Sequence, residues 1–134
     1  PHTIIREDPS LNIAAADNLN SSFPELDVIF IESGGDNLAS TFSLDLVDYW
    51  MFVIDTGAGD DIPRKKGPGI IRSDLLVVNK IDIGPYVGAN VDLIKKEAVE
   101  VRNHRPTLLT DCKQKIGIDA VVDQLIKDVL FTDV

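Results

Sequence analysis

Along this chain the apolar residues fall into two rhythms. The first is the short unbroken run: VIFI at 28–31 inside DVIFIE, YWMFVI at 49–54 and LLVV at 75–78 inside DLLVVNKID. Runs of this length without alternation predict strands covered on both faces, and TLLT at 107–110 predicts a shorter one. The second rhythm is helical. Asp8-Pro9-Ser10 reads as a helix start, with Asp8 as N-cap and Pro9 at the first helical position, where its missing N–H costs nothing. Leu11, Ala14, Ala15 and Leu19 then recur at helical spacing up to the Phe23-Pro24 break. Val91, Ile94, Ala98 and Val101 share one face of a helix predicted from Asn90 to Arg102. Ile118, Val121, Val122, Leu125, Ile126, Val129 and Leu130 mark a strongly amphipathic final helix.

Buried strands alternating with helices predict an α/β parallel sheet, and such sheets bind ligands at the carboxyl ends of their strands. Polar residues gather at those ends: Glu32-Ser33-Gly34-Gly35, then Asp55-Thr56-Gly57-Ala58-Gly59, then Asn79-Lys80-Ile81-Asp82. A ligand site along that edge is a better reading than three coincidental loops.

Composition narrows the class. With 134 residues, 44% hydrophobic and 26% charged, the chain suits one soluble domain, 1–134, with a core large enough to fold. The apolar runs are too short to cross a bilayer and the start has no secretory pattern, so the expectation is a cytoplasmic protein with no membrane partner. One cysteine, Cys112, excludes an internal disulfide framework; with no base flanking it, it reads as a small buried hydrophobe. A net charge of −9 argues against a nucleic-acid partner. Arg64, Lys65 and Lys66 in IPRKKGPG read as a solvated Gly/Pro turn, and His104 as a solvated or helix-dipole residue.

The sharpest chemical signal is Asn79-Lys80-Ile81-Asp82, the N-K-x-D pattern of guanine-nucleotide binding. A carboxylate at its fourth position can accept two hydrogen bonds, from guanine N1–H and the exocyclic N2 amine, a pair adenine does not offer. The Lys80 stem can lie along the base, and Asn79 can hold neighbouring loops together. Glu32 stands where a nucleotide-hydrolysing α/β protein places the carboxylate that acts on the Mg²⁺ shell or water, and Gly35 could bring an N–H to the γ-phosphate.

At this point longer stretches match something specific. P-H-T-x-I-R-E-D at the start, I-E-S-G-G-D-N-L-A-x-T-F-S, D-x-I-P-R-K-x-G-P-G-I-x-R-S-D-L-L-V-x-N-K-x-D and P-Y-V-G-A resemble the urease accessory protein G family of nickel-insertion GTPases, over nearly the whole chain. The resemblance implies a parallel-sheet P-loop GTPase fold of the Rossmann-like three-layer kind, binding GTP/GDP with Mg²⁺. It makes Glu32 the Mg²⁺-linked switch acid, and Asn79, Lys80 and Asp82 the guanine readers. It implies a homodimer formed on GTP and nickel binding, with Ni²⁺ bridged through a Cys-Pro-His motif of which Pro1 and His2 would be the last two residues. The other implied partners are urease accessory proteins and apo-urease.

Departures from the family pattern carry their own expectations. Thr110-Asp111-Cys112-Lys113 falls where the family usually has T-N-L-K, a second base-contacting loop, and Asp111 in place of Asn cannot donate to guanine O6 through its side chain. Lys66 replaces a usual Gly. No G-x-x-x-x-G-K-[ST] occurs in the chain, so the phosphate-cradling loop is missing. The expectation is a fragment lacking a first βαβ portion, active as a GTPase only when intact and inactive as this chain alone. Two other readings stay open: a non-catalytic interaction or scaffold module of GTPase-like fold, and a related GTPase for another cargo, as in hydrogenase maturation or cobalamin loading.

Overall fold

The computed structural model describes residues 9–32, 44–65 and 67–131. They fall into two units, Pro1–Asp48 and Tyr49–Val134. The second unit is an α/β structure on a three-stranded parallel sheet in the order β1-β2-β3, with β1 Met51–Asp55, β2 Leu75–Asn79 and β3 Thr107–Leu109. The central strand is the most apolar, and Leu75, Leu76, Val77 and Val78 are all buried, as a strand covered on both faces requires. The register aligns the carboxyl ends: Asp55 lies opposite Asn79, and Val78 opposite Leu109. Beyond β3, Thr110 N–H donates to Val78 O at 2.8 Å and Ile81 N–H to Thr110 O at 3.2 Å, so the third strand stays attached where the polar loops begin.

The sheet is backed by helices whose starts and stops are visible in their chemistry. Asn90 caps α4 (Val91–Val101), its side chain accepting from Leu93 N–H at 3.1 Å, and buries Ile94 and Ala98 as the spacing predicts. IPRKKGPG is not a plain solvated turn. It forms two short helices, α2 (Ile62–Lys65) and α3 (Pro68–Arg72), which pack against α4 and bury Ile62, Pro63, Gly69 and Ile70. Its two described cations are paired, Arg64 with Glu97 at 3.2 Å and Lys65 with Asp61 at 3.4 Å. The apolar face of that segment, not its charge, decides its conformation.

Arg102, at the end of α4, is fully buried at 0% exposure. Its guanidinium donates to Ile70 O at 2.6 Å, Ser73 Oγ at 2.8 Å, Ser73 O at 3.0 Å and Pro106 O at 3.0 Å. It thereby pins α3, the lead-in to β2 and the lead-in to β3. Burial pushes its pKa below the usual arginine value, with Arg105 adding to the shift. The final helix, α5 (Ile118–Val129), is tied through Asp128 Oδ2, which accepts from Tyr49 Oη at 2.9 Å and Gln124 Nε2 at 2.8 Å. Burial, reinforced by Asp128, pushes the Tyr49 phenol up.

In the first unit, α1 spans Ser10–Ser22. Pro9 takes the cap position with φ −83° and ψ 0°, so the helix starts one residue later than expected, and Asp8 lies outside the described residues. No residue of α1 is buried. The strand expected at DVIFIE does not form: residues 27–32 carry no strand, and Phe30 is 74% exposed. A strand exists through its ladder, and among the described residues no backbone bond pairs this run with another segment. A continuous apolar run reports a tendency to be covered; it does not supply the partner.

Candidate functional site

The carboxyl ends of β2 and β3 form a cleft of about 250 Å³ lined by Asn79, Lys80, Asp82, Ile83, Asp111, Cys112 and Lys113. The sheet register explains the meeting. β2 delivers Asn79 to its last position, the chain turns at Lys80 in the left-handed region (φ 59°, ψ 42°), and a 3₁₀ segment, Ile81–Val87, carries Asp82 in its first turn. β3 delivers the loop 110–116 alongside.

Asn79 turns its Oδ1 to the loop. Its Oδ1 accepts from Thr110 Oγ1 at 2.9 Å and from Cys112 N–H at 3.0 Å, which fixes the second loop against the first. Lys80 is held at both ends. Its backbone carbonyl accepts from Thr56 Oγ1 at 2.6 Å, and its ammonium lies 3.0 Å from Asp55 Oδ2. Thr56 itself is fully buried. The Lys80 hydrogen bond holds the Asp55 carboxyl below its ordinary value, against the opposing effect of burial, and the N–H groups of Gly57 and Ala58 help. Gly57 permits that approach, since a Cβ there would stand 2.8 Å from Asp55 Oδ1. Asp82 is exposed, and no hydrogen bond or ion pair engages it among the described residues. Its carboxylate keeps its acceptors available to a ligand.

Asp111 is 2% exposed. Its Oδ1 accepts from Lys113 N–H at 3.1 Å and Gln114 N–H at 3.2 Å, closing a local turn, while Oδ2 is buried with no hydrogen-bond partner among the described residues. Cys112 is exposed, contrary to the expectation of a buried hydrophobe. Its Sγ donates weakly to Thr110 Oγ1 at 3.7 Å. The turn at 112–115 places the thiol at the rim, a consequence of the Asp111–Ile116 bridge that the sequence did not signal.

The structure therefore brings together Asn79, Lys80, Asp82 and Asp111. Glu32 is exposed in the first unit; Gly35 and His2 lie outside the described residues. Asp55 and Thr56, which position Lys80, are readable in the sequence only as a strand end; the register that sets Asp55 opposite Asn79 brings them beside Lys80. Among the described residues, no group of three or more His, Cys, Asp or Glu could hold a metal ion. These residues alone do not assemble a Mg²⁺ site.

Comparison with known proteins agrees with this geometry. Residues 1–109 match the family model described as CobW/HypB/UreG, nucleotide-binding domain. The chain is 62% identical over 131 residues to the urease accessory protein UreG 2 of a Bradyrhizobium species, covering 98% of the chain and 61% of that relative. It is 60% identical over 131 residues to the urease accessory protein UreG of Trichodesmium erythraeum, covering 98% and 62%. The chain thus spans about three fifths of the length of these curated relatives. Among solved structures, the hydrogenase maturation factor HypB of Archaeoglobus fulgidus superposes with a TM-score of 0.70 at 28% identity, covering 81% of this chain and 58% of that one. A parallel α/β sheet, a strand-end N-K-x-D and a family model spanning most of the chain converge: this chain belongs to the CobW/HypB/UreG nucleotide-binding family.

Proposed function

We propose that the intact protein is a urease accessory GTPase that couples GTP binding and hydrolysis to nickel delivery into apo-urease, and that this chain carries its guanine-reading part. The observation that supports this best is the shared cleft of Asn79, Lys80, Asp82 and the loop 110–113 at the carboxyl edge of the sheet. In this reading the available carboxylate of Asp82 accepts from guanine N1–H and the N2 amine. The Lys80 stem offers the purine an apolar surface. Asn79 positions the second loop and does not touch the base. Adenine leaves Asp82 without its pair of donors, and a polar site of this kind rejects such a ligand.

The remaining roles follow from the likeness to UreG proteins. Both units are read as parts of one GTPase domain, with Glu32 as the Mg²⁺-linked acid and Gly35 near the γ-phosphate. His2 would be a ligand to the Ni²⁺ cargo, in a homodimer formed with GTP and nickel that meets other accessory proteins and apo-urease in the cytoplasm. No helix among the described residues is long and apolar enough to cross a membrane. Lacking G-x-x-x-x-G-K-[ST], the chain alone holds phosphate poorly and does not turn over GTP.

Phosphate release from GTP and ATP tests this, using the chain alone and the chain joined to an upstream segment bearing that loop. Turnover is expected only in the joined form and only with GTP, and nickel should shift that form to a dimer on size-exclusion chromatography unless His2 is replaced by Ala. Hydrolysis by the chain alone, or equal turnover of ATP, contradicts the proposal.

A further inference from the structure

The loop Asp111–Ile116 leaves no backbone donor for a ligand. Asp111 N–H donates to Ile116 O at 2.9 Å, and Ile116 N–H returns to Asp111 O at 2.9 Å. Cys112 N–H is taken by Asn79 Oδ1 at 3.0 Å, and Lys113 and Gln114 N–H by Asp111 Oδ1 at 3.1 and 3.2 Å. Lys115 N–H donates to Cys112 O at 3.4 Å. All six amides have internal acceptors. Besides the Lys113 side chain, the loop brings to the cleft a group of the opposite character: Asp111, whose buried Oδ2 is an acceptor with no hydrogen-bond partner among the described residues.

An ionised carboxylate only accepts, and a buried acceptor without a donor is costly. A carbonyl brought to this wall meets acceptor against acceptor; an amino group meets its complement. We propose that Asp111 is a specificity-determining residue of the base cleft: it penalises a carbonyl at purine position 6 and favours an amino group there, so that the cleft discriminates guanine from 2,6-diaminopurine only weakly. The inference rests on the guanine-reading proposal, in which Asp82 takes the N1/N2 edge and leaves position 6 toward the 111–116 loop. Guanine and 2,6-diaminopurine share the 2-amino group and differ at N1 and position 6. Asp111→Asn isolates the second difference, because its Oδ1 still closes the turn on Lys113 and Gln114 while an N–H donor replaces Oδ2.

The test is a ¹H–¹⁵N titration of the chain with GDP and with 2,6-diaminopurine riboside 5′-diphosphate, at concentrations up to millimolar, in wild type and Asp111→Asn. The ratio of the two dissociation constants should move toward GDP by about tenfold or more in the variant, the scale of one mismatched buried hydrogen bond. An unchanged ratio overturns the role of Asp111 and leaves guanine reading standing. Absence of any response from residues 79–82 and 110–113 to either nucleotide overturns guanine reading and this inference with it. Should the variant not fold, the wild type alone decides: comparable affinities support the proposal, and a GDP preference above about tenfold overturns it.

Discussion

Lys80 Nζ lies 3.0 Å from Asp55 Oδ2, so the residue that follows β2 is tied to the last residue of β1. Together with the bond from Thr56 Oγ1 to the Lys80 carbonyl at 2.6 Å, this fixes both the backbone and the head of a residue in left-handed conformation. Asn79 does the equivalent on the other side, toward β3. The N-K-x-D motif is a bridge between neighbouring strand ends, and its geometry is set by residues outside it.

Asp55→Asn should release the Lys80 ammonium with little loss of stability. Both side chains are more than a third exposed, at 56% and 37%, so screening limits the pair to about 1 kcal/mol or less. The sign of its pH dependence follows from the lowered Asp55 pKa. A carboxyl depressed in the folded state contributes stability above its unfolded pKa, about 4, and loses it as pH falls through the folded value. Urea denaturation should therefore show a gap between wild type and variant at pH 7 that narrows progressively as pH falls below about 4. A gap that persists in acid would assign the effect to something other than the ion pair.

Asn79→Ala removes the acceptor for Thr110 Oγ1 and Cys112 N–H. Loss of these bonds should cost about 1–2 kcal/mol of stability, and hydrogen exchange at the Cys112 amide should accelerate more than at Leu76 in the strand interior. Equal acceleration at both would mean that Asn79 supports the fold as a whole rather than the loop.

Arg102→Met tests the buried guanidinium. Four carbonyls and the Ser73 hydroxyl lie within reach of its nitrogens, and methionine satisfies none of them. Destabilisation of roughly 3 kcal/mol or more is expected from the orphaned acceptors, read as a lowered midpoint in thermal or urea denaturation. A variant as stable as wild type would show that water replaces the guanidinium without cost.

Gly117→Ala should be among the least tolerated changes outside the core. Gly117 has φ +78°, and a Cβ there would collide with the Leu109 carbonyl oxygen. Positive φ alone costs about 1 kcal/mol for alanine, and the collision must also displace the end of β3. The midpoint should fall clearly more than for Gly88→Ala, which shares a positive φ but has open space around it.

How much of this was legible beforehand depended on what each signal measures. LLVV at 75–78 declared a strand buried on both faces, and Asn90 with the spacing of Ile94 and Ala98 declared α4, because burial and capping act locally. DVIFIE has the same apolar run as LLVV but no ladder partner among the described residues, and pairing is a property of two segments. Asn79, Lys80 and Asp82 announced themselves by spacing. The roles of Asp55, Thr56 and Arg102 did not, because each is created by contacts across 24 or more residues: 25 from Asp55 to Lys80, 24 from Thr56 to Lys80 and 29 from Arg102 to Ser73. The exposure of Cys112 likewise followed from a bridge, Asp111 to Ile116, that no local propensity marks.

The central claim is that the cleft at the ends of β2 and β3 reads guanine through Asp82. The most direct measurement is a ¹H–¹⁵N titration of the chain with GDP and with ADP, in wild type and in Asp82→Ala. GDP should shift the amides of residues 79–82 and 110–113 at concentrations where ADP does not, and Asp82→Ala should abolish the difference. Equal shifts from ADP, or a GDP preference that survives Asp82→Ala, would contradict the account.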